Sequence, residues 1–171
     1  METAELAQRI KQTAYLEGDF VLRSGKRSKY YLDKYLFEAQ PDILAELGQR
    51  LAERVGDAEL IAGPELGAVS LAASTSMASG KPFVIVRKAS KDYGTSKLIE
   101  GPDVKGKKVL LVEDIGTTAG AALGAAKTLV EAGATVTQIV FAIDRLQGAR
   151  ENVTAAGFEF DALLTKTDMG I

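Results

Sequence analysis

The run VLLVEDIGTTAGAA, residues 109–122, carries two adjacent acids, Glu113 and Asp114, out of an apolar stretch and into a turn of small residues that opens a helix. Small residues at such a turn let a phosphate approach backbone N–H groups at the helix N-terminus, where the dipole favours anions. The acids themselves would repel that phosphate, so their natural partners are sugar hydroxyls or a cation. An acid pair beside a phosphate cradle describes a site for a ribose 5-phosphate. A dinucleotide site would need G-x-G-x-x-G with its acid about 20 residues later, and a P-loop would need G-K-[ST]. The sequence contains neither pattern.

Three more polar clusters follow apolar runs: Gly63-Pro64-Glu65-Leu66-Gly67, Arg87-Lys88 and Asp144-Arg145. Each alone could be a solvated strand end, the acid pair could merely cap its helix, and Asp144-Arg145 could be a local ion pair. In open parallel sheets, however, ligands bind beyond the carboxyl ends of the strands. Glycine, paired base, paired acid and a further arginine converging on that edge point to one site.

The rest of the inventory narrows the chemistry. The 171 residues contain no cysteine and no histidine. A disulfide scaffold, thiolate catalysis, Cys- or His-ligated zinc and a Ser-His-Asp triad are thereby excluded. Carboxylates, lysines, arginines, hydroxyls and backbone amides remain. A formal charge of −2, with 26% charged and 46% hydrophobic residues, is that of an ordinary soluble domain. Such a balance argues against a nucleic-acid partner held by bulk phosphate neutralisation. The first residues, METAELAQRIKQT, are mixed in charge and lack an apolar signal core, and no run approaches a membrane span. The expectation is a cytoplasmic chain with no membrane partner.

The elements that must position these clusters follow a βαβ rhythm from Glu59 onward. Residues 83–87, 109–112 and 139–143 are, Arg87 at the end of the first aside, apolar throughout and rich in β-branched side chains, as strands of a parallel sheet covered on both faces should be. Pro41 and apolar residues at helical spacing predict a helix over 41–55, and a second helix is predicted over about 120–132, stopped by Gly133. Ahead of this core, a helix over about 3–15 precedes two short extended pieces separated by a Ser-Gly turn. The predicted fold is α/β, a central parallel sheet flanked by helices. It forms a single domain, with residues 1–38 as a small N-terminal hood and 39–171 as the core. The segment 89–107 lacks apolar periodicity and carries Lys91, Lys97, Lys105 and Lys107, which predicts a long functional loop. Lysine-rich loops are also simply solvated surface, and Tyr30, Tyr31 and Tyr35 could simply seal the hood.

VLLVEDIGTTAGAA resembles the phosphoribosyl-pyrophosphate (PRPP) motif of the type I phosphoribosyltransferases. FVLRSGKRSKYYLD resembles the hood of the orotate phosphoribosyltransferase family, IAGPELGAVSLA its pyrophosphate loop, and VRKASKDYGTSKLIEG its catalytic loop. FAIDRLQGARE is similar to the stretch bearing that family's orotate-contacting arginine. The segments stand in the family's order across residues 20–151. The resemblance implies transfer of a phosphoribosyl group from PRPP to orotate, with Mg²⁺ held mainly by PRPP and no direct protein ligand. It also implies a homodimer whose catalytic loop is shared between subunits.

Carried onto this chain, the resemblance implies that Glu113 and Asp114 hold the ribose hydroxyls while Thr117, Thr118, Ala119, Gly120 and Ala121 wrap the 5-phosphate. Residues 63–67 would face the pyrophosphate with backbone amides, and Arg87, Lys88, Lys91 and Tyr93 would meet PRPP through side chains. Arg23, Tyr30, Tyr31, Thr117 and Arg145 would frame orotate, and Lys91, Arg87 and Asp114 would be the catalytic residues. The chain departs from the family's pattern at several positions. Gly116 stands for a usual aliphatic residue, Ala119 for a Gly, Ala121 for a Ser or Thr, Arg23 for a frequent Lys, and Gly67 for a Lys found in some members. Tyr93 replaces a frequent His. Two alternatives remain at this level, a phosphoribosyltransferase for another base and a non-catalytic PRPP-sensing regulator.

Overall fold

The computed structural model describes residues 1–22, 25–88 and 97–171. Helix α1 (Thr3–Ala14) leads into an antiparallel hairpin of β1 (Tyr15–Val21) and β2 (Arg27–Leu32), then into the short α2 (Lys34–Glu38) and α3 (Pro41–Ala52). The core continues through β3 (Leu60–Pro64), α4 (Val69–Ser79), β4 (Phe83–Val86), β5 (Ile99–Glu100) and β6 (Lys108–Gly116). It closes with α5 (Gly120–Glu131), β7 (Thr135–Asp144), α6 (Ala149–Ala155), β8 (Phe160–Thr165) and a 3₁₀ turn at Lys166–Met169.

Six strands form one sheet in the order β5-β4-β3-β6-β7-β8, all parallel except the edge strand β5. The expected parallel α/β core and hood hairpin are thus present. Alternation along β6 shows why its sequence is apolar at every position. Leu110 and Val112 enter one core with Leu6, Ile10, Ile43, Leu47 and Leu71 of α1, α3 and α4. Val109 and Leu111 enter the other with Ala122, Ala126, Leu129 and Val153 of α5 and α6. Both faces are covered, so no position can be polar until the strand emerges. The first helix is part of this packing: Leu6, Ala7, Ile10 and Ala14 are fully buried.

The loop expected over 89–107 is shorter than its sequence suggested. Residues 89–96 lie outside the described part, but Val86 pairs with Ile99 and Ile85 with Glu100 across β4 and β5. Val104 is buried in the second core. Isolated apolar residues between glycines carry no period, so the pattern could not reveal these anchors.

Two features of the topology create the site. The chain runs from β3 outward to β4 on one side, and from β6 outward to β7 on the other, so β3 and β6 flank the switch point of the sheet. Moreover, β6 pairs with β3 only from Val109 to Leu111, yet continues beside β7 as far as Gly116. Its last residues therefore stand free of β3 and wall a crevice, the usual ligand position in such sheets. Among the described residues no helix is long and apolar enough to cross a membrane.

Candidate functional site

The crevice at the switch point is a cleft of about 410 Å³. One wall is the end of β6, where Glu113 and Asp114 are both buried. Its floor continues through Thr117, Thr118, Ala119, Gly120 and Ala121 into the start of α5. The 64–67 loop, which abuts Asp114 at Gly67, forms the adjoining wall with Lys88 after β4, while Tyr31 and Arg145 close the side towards the hood. Arg87 lines the adjoining depression of about 240 Å³, together with Lys88 and Ala121. Tyr30 stands behind this wall: Arg145 Nη2 donates to its hydroxyl at 2.6 Å. Arg23, Lys91 and Tyr93 lie outside the described residues.

The 117–121 turn has the shape an anion cradle requires. Ala119 precedes α5 in the left-handed region, with φ at 69°, and with Gly120 and Ala121 of the first helical turn, whose N–H groups have no partner within the helix, it lines the cleft. A side chain at that φ costs about 1 kcal/mol or more, which is why glycine is the usual solution. The far side of the turn is held by Asn152 of α6, whose Nδ2 donates to the Thr118 carbonyl at 2.8 Å. Gly116 is explained by packing, since a Cβ there would press on the Phe141 ring, which fills the space an aliphatic side chain would take.

The acids do not stand as a bare pair. Asp114 Oδ2 lies 2.9 Å from Lys34 Nζ, the first residue of α2, and Asp114 Oδ1 accepts from the backbone N–H of Ile115. Burial works to lower the Lys34 pKa, but the Asp114 charge and hydrogen bond, with Tyr35 and Glu113, raise it overall. Glu113 shifts up, first because it is buried and then because Asp114 repels its charge. Glu38, at the end of α2, is pushed up to about 8 by burial and by the Asp114 charge. Across the cleft, Glu65 Oε1 accepts from the Lys88 backbone N–H at 2.6 Å, which ties the 64–67 loop to the end of β4.

Asp144 and Arg145 form no ion pair with each other among the described residues. Asp144 Oδ1 accepts from the Leu146 backbone N–H at 2.9 Å, while Arg145 turns to the hood. Its guanidinium lies 5.2 Å from the centre of the Tyr30 ring, and that ring stacks on Tyr15. The arginine is therefore held by the hairpin, with its charge at the cleft.

Lys34, Glu38 and Asn152 are the parts that sequence reasoning missed. Lys34 had one faint signal: a glycine at position 67 leaves room for a cation supplied from elsewhere. A Cβ on Gly67 would fall 2.9 Å from Lys34 Nζ.

Comparison with known proteins gives the family. The phosphoribosyl transferase domain family matches residues 37–159. The orotate phosphoribosyltransferase of Methanocella arvoryzae is 47% identical over 167 residues, spanning 96% of this chain and 95% of that protein. Among solved structures, Mycobacterium tuberculosis orotate phosphoribosyltransferase in complex with Fe(III) dicitrate superposes with a TM-score of 0.89 at 32% identity, covering 99% of both chains. The same Mycobacterium tuberculosis protein in complex with PRPP gives a TM-score of 0.85 at 31% identity, again over 99% of each chain. Identity and coverage at this level, on a fold whose switch point carries the acid pair and the 117–121 turn, make this chain a member of the orotate phosphoribosyltransferase family.

Proposed function

We propose that this chain transfers the 5-phosphoribosyl group of PRPP to orotate, forming orotidine 5-monophosphate and releasing pyrophosphate, a step of de novo pyrimidine (UMP) synthesis. The observation that carries the reading is the meeting of a buried acid pair, a helix N-terminus open to phosphate and Arg145 in one cleft. In this reaction the bond from ribose C1 to pyrophosphate oxygen breaks and a bond from C1 to an orotate nitrogen forms, while positive charge grows on the sugar. Orotate reacts as an anion, so no strong base is required and the lack of histidine is no obstacle. What remains for the protein is to orient both substrates and to neutralise the departing anion.

In this reading Glu113 and Asp114 hold the ribose hydroxyls, and the N–H groups and hydroxyls from Thr117 to Ala121 hold the 5-phosphate. The 63–67 loop, Arg87 and Lys88 meet the pyrophosphate. Tyr30, Tyr31, Thr117 and Arg145 frame orotate, with the guanidinium pairing to its carboxylate or ring carbonyls. The family resemblance adds Lys91 and Tyr93 at the pyrophosphate and Arg23 at orotate, together with a homodimer sharing its catalytic loop. Bound Mg²⁺ would neutralise the diphosphate, a hard anion it binds readily while keeping waters.

The test is a steady-state assay of orotidine monophosphate formation from orotate, PRPP and Mg²⁺, run beside uracil and purine bases. Orotate should have the highest kcat/KM. Turnover of another base in preference to orotate, or PRPP binding without turnover of any base, overturns the reading.

A further inference from the structure

Lys34 occupies an unusual place. Its backbone is fixed at the start of α2, because Asp33 caps that helix by accepting from the Tyr35 N–H at 3.0 Å. Its side chain, 34% exposed, runs into the cleft and ends on the almost wholly buried Asp114. The ammonium also abuts the 64–67 loop, at the point where a side chain on residue 67 would emerge. On the other side of that loop stands Lys88, joined to it through Glu65. Two lysines thus bracket the loop that faces pyrophosphate in the functional reading above, on which this inference rests.

In the ligand-free chain the Lys34 charge is needed by Asp114, since a buried carboxylate without a cation is strongly destabilising. The Glu113 and Glu38 carboxyls stand close by and, when ionised, strengthen the hold on Lys34. When sugar hydroxyls hydrogen-bond to Asp114, that carboxylate is satisfied by other donors. A lysine ammonium on a four-carbon stem is free to re-aim in a way that a planar, forked guanidinium is not. The nearest new negative charge is the diphosphate arriving against Gly67.

We propose that Lys34 is an exchangeable cation of the site: it neutralises Asp114 before the donor binds and then turns to the diphosphate, filling the role of a cationic side chain that Gly67 cannot provide. Its contact is with the phosphoribosyl donor and the pyrophosphate product, and not with the base. The substitution Lys34→Met in the full chain keeps the length of the stem and removes the charge. The KM for PRPP and the inhibition constant of inorganic pyrophosphate should both rise about tenfold or more, while the orotate KM stays within about twofold. Lys34→Arg, which keeps the charge, should restore part of both losses. A purely structural lysine would lower the melting temperature and leave the pyrophosphate constant where it was.

If Lys34→Met strands Asp114 and fails to fold, the same comparison is made with Lys34→Gln, whose amide can still donate to Asp114 while carrying no charge. A wild-type chain that converts PRPP and orotate, beside a folded variant with unchanged PRPP KM and pyrophosphate inhibition, overturns this inference alone. A wild-type chain with no orotate-dependent turnover overturns the functional reading on which it stands.

Discussion

Gly67 packs so closely on Asp114 that a methyl group at position 67 would overlap the Asp114 Oδ2 atom and crowd Lys34 Nζ. The backbone of Gly67 is not in the left-handed region, so close approach and not conformation requires the glycine. Gly67→Ala should therefore push apart the Lys34–Asp114 pair. PRPP affinity measured by calorimetry is expected to fall by about tenfold or more, together with a lower melting temperature. Affinity preserved within about twofold would show that the pair relaxes around the methyl and that its geometry does not set donor binding.

The second prediction concerns pH. Glu38 is 6% exposed, and its Oε1 has no hydrogen-bond partner among the described residues. Burial, then repulsion from Asp114, pushes its carboxyl from the usual 4.5 up to about 8, against the pull of Lys34. The folded chain thus keeps a proton that the unfolded chain releases, and stability must fall as pH rises from 4.5 to about 8. Glu38→Gln keeps the shape and removes this titration. Glu113 titrates in both proteins, so their difference isolates Glu38. Wild type should lose a few kcal/mol of stability relative to the variant across that window, read from denaturant melts at several pH values. A constant difference between the two proteins would mean that Glu38 titrates as an ordinary carboxylate.

The sheet and its acid pair were legible because both depend on local order along the chain. Four apolar residues before Glu113 mean a strand buried on both faces, and a Gly/Thr/Ala turn after it means a helix start. Lys34 was not legible, because its role depends on the hood returning over the end of β6, some 80 residues later in sequence, and no periodicity encodes that approach. Arg145 was legible as a charge at a strand end, but its partner was not. The adjacent Asp144 was the obvious local candidate, whereas the structure pairs Asp144 with a backbone N–H and Arg145 with Tyr30.

Asn152 provides a third test, aimed from outside at the 117–121 turn, the proposed phosphate cradle. Its amide holds the Thr118 carbonyl without itself lining the cleft. One neutral hydrogen bond is worth about 1 kcal/mol, so Asn152→Ala should raise the PRPP KM about fivefold and leave the orotate KM unchanged. Asn152→Asp cannot donate to the carbonyl and brings a negative charge towards the phosphate loop, so its effect should be larger. Equal behaviour of the Ala and Asp variants would argue that the Thr118 contact does not orient the loop.

The last prediction separates Arg145's charge from its support. The guanidinium donates to Tyr30 and lies over its ring, and that ring is stacked on Tyr15 at 5.4 Å between centroids. Losing a charge-assisted contact to orotate costs about 1.5–3 kcal/mol, so Arg145→Ala should raise the orotate KM by roughly one to two orders of magnitude. Tyr30→Phe keeps the ring face and its stacking on Tyr15 and removes only the acceptor. Its orotate KM should rise by about fivefold, the value of one hydrogen bond, with the PRPP KM unchanged. Tyr30→Ala also removes the ring, and should fall between the Phe variant and Arg145→Ala, because the arginine keeps its charge but loses its direction. Equal losses for orotate and PRPP in Arg145→Ala would instead make the arginine a strut between hood and core, with orotate selected elsewhere in the cleft.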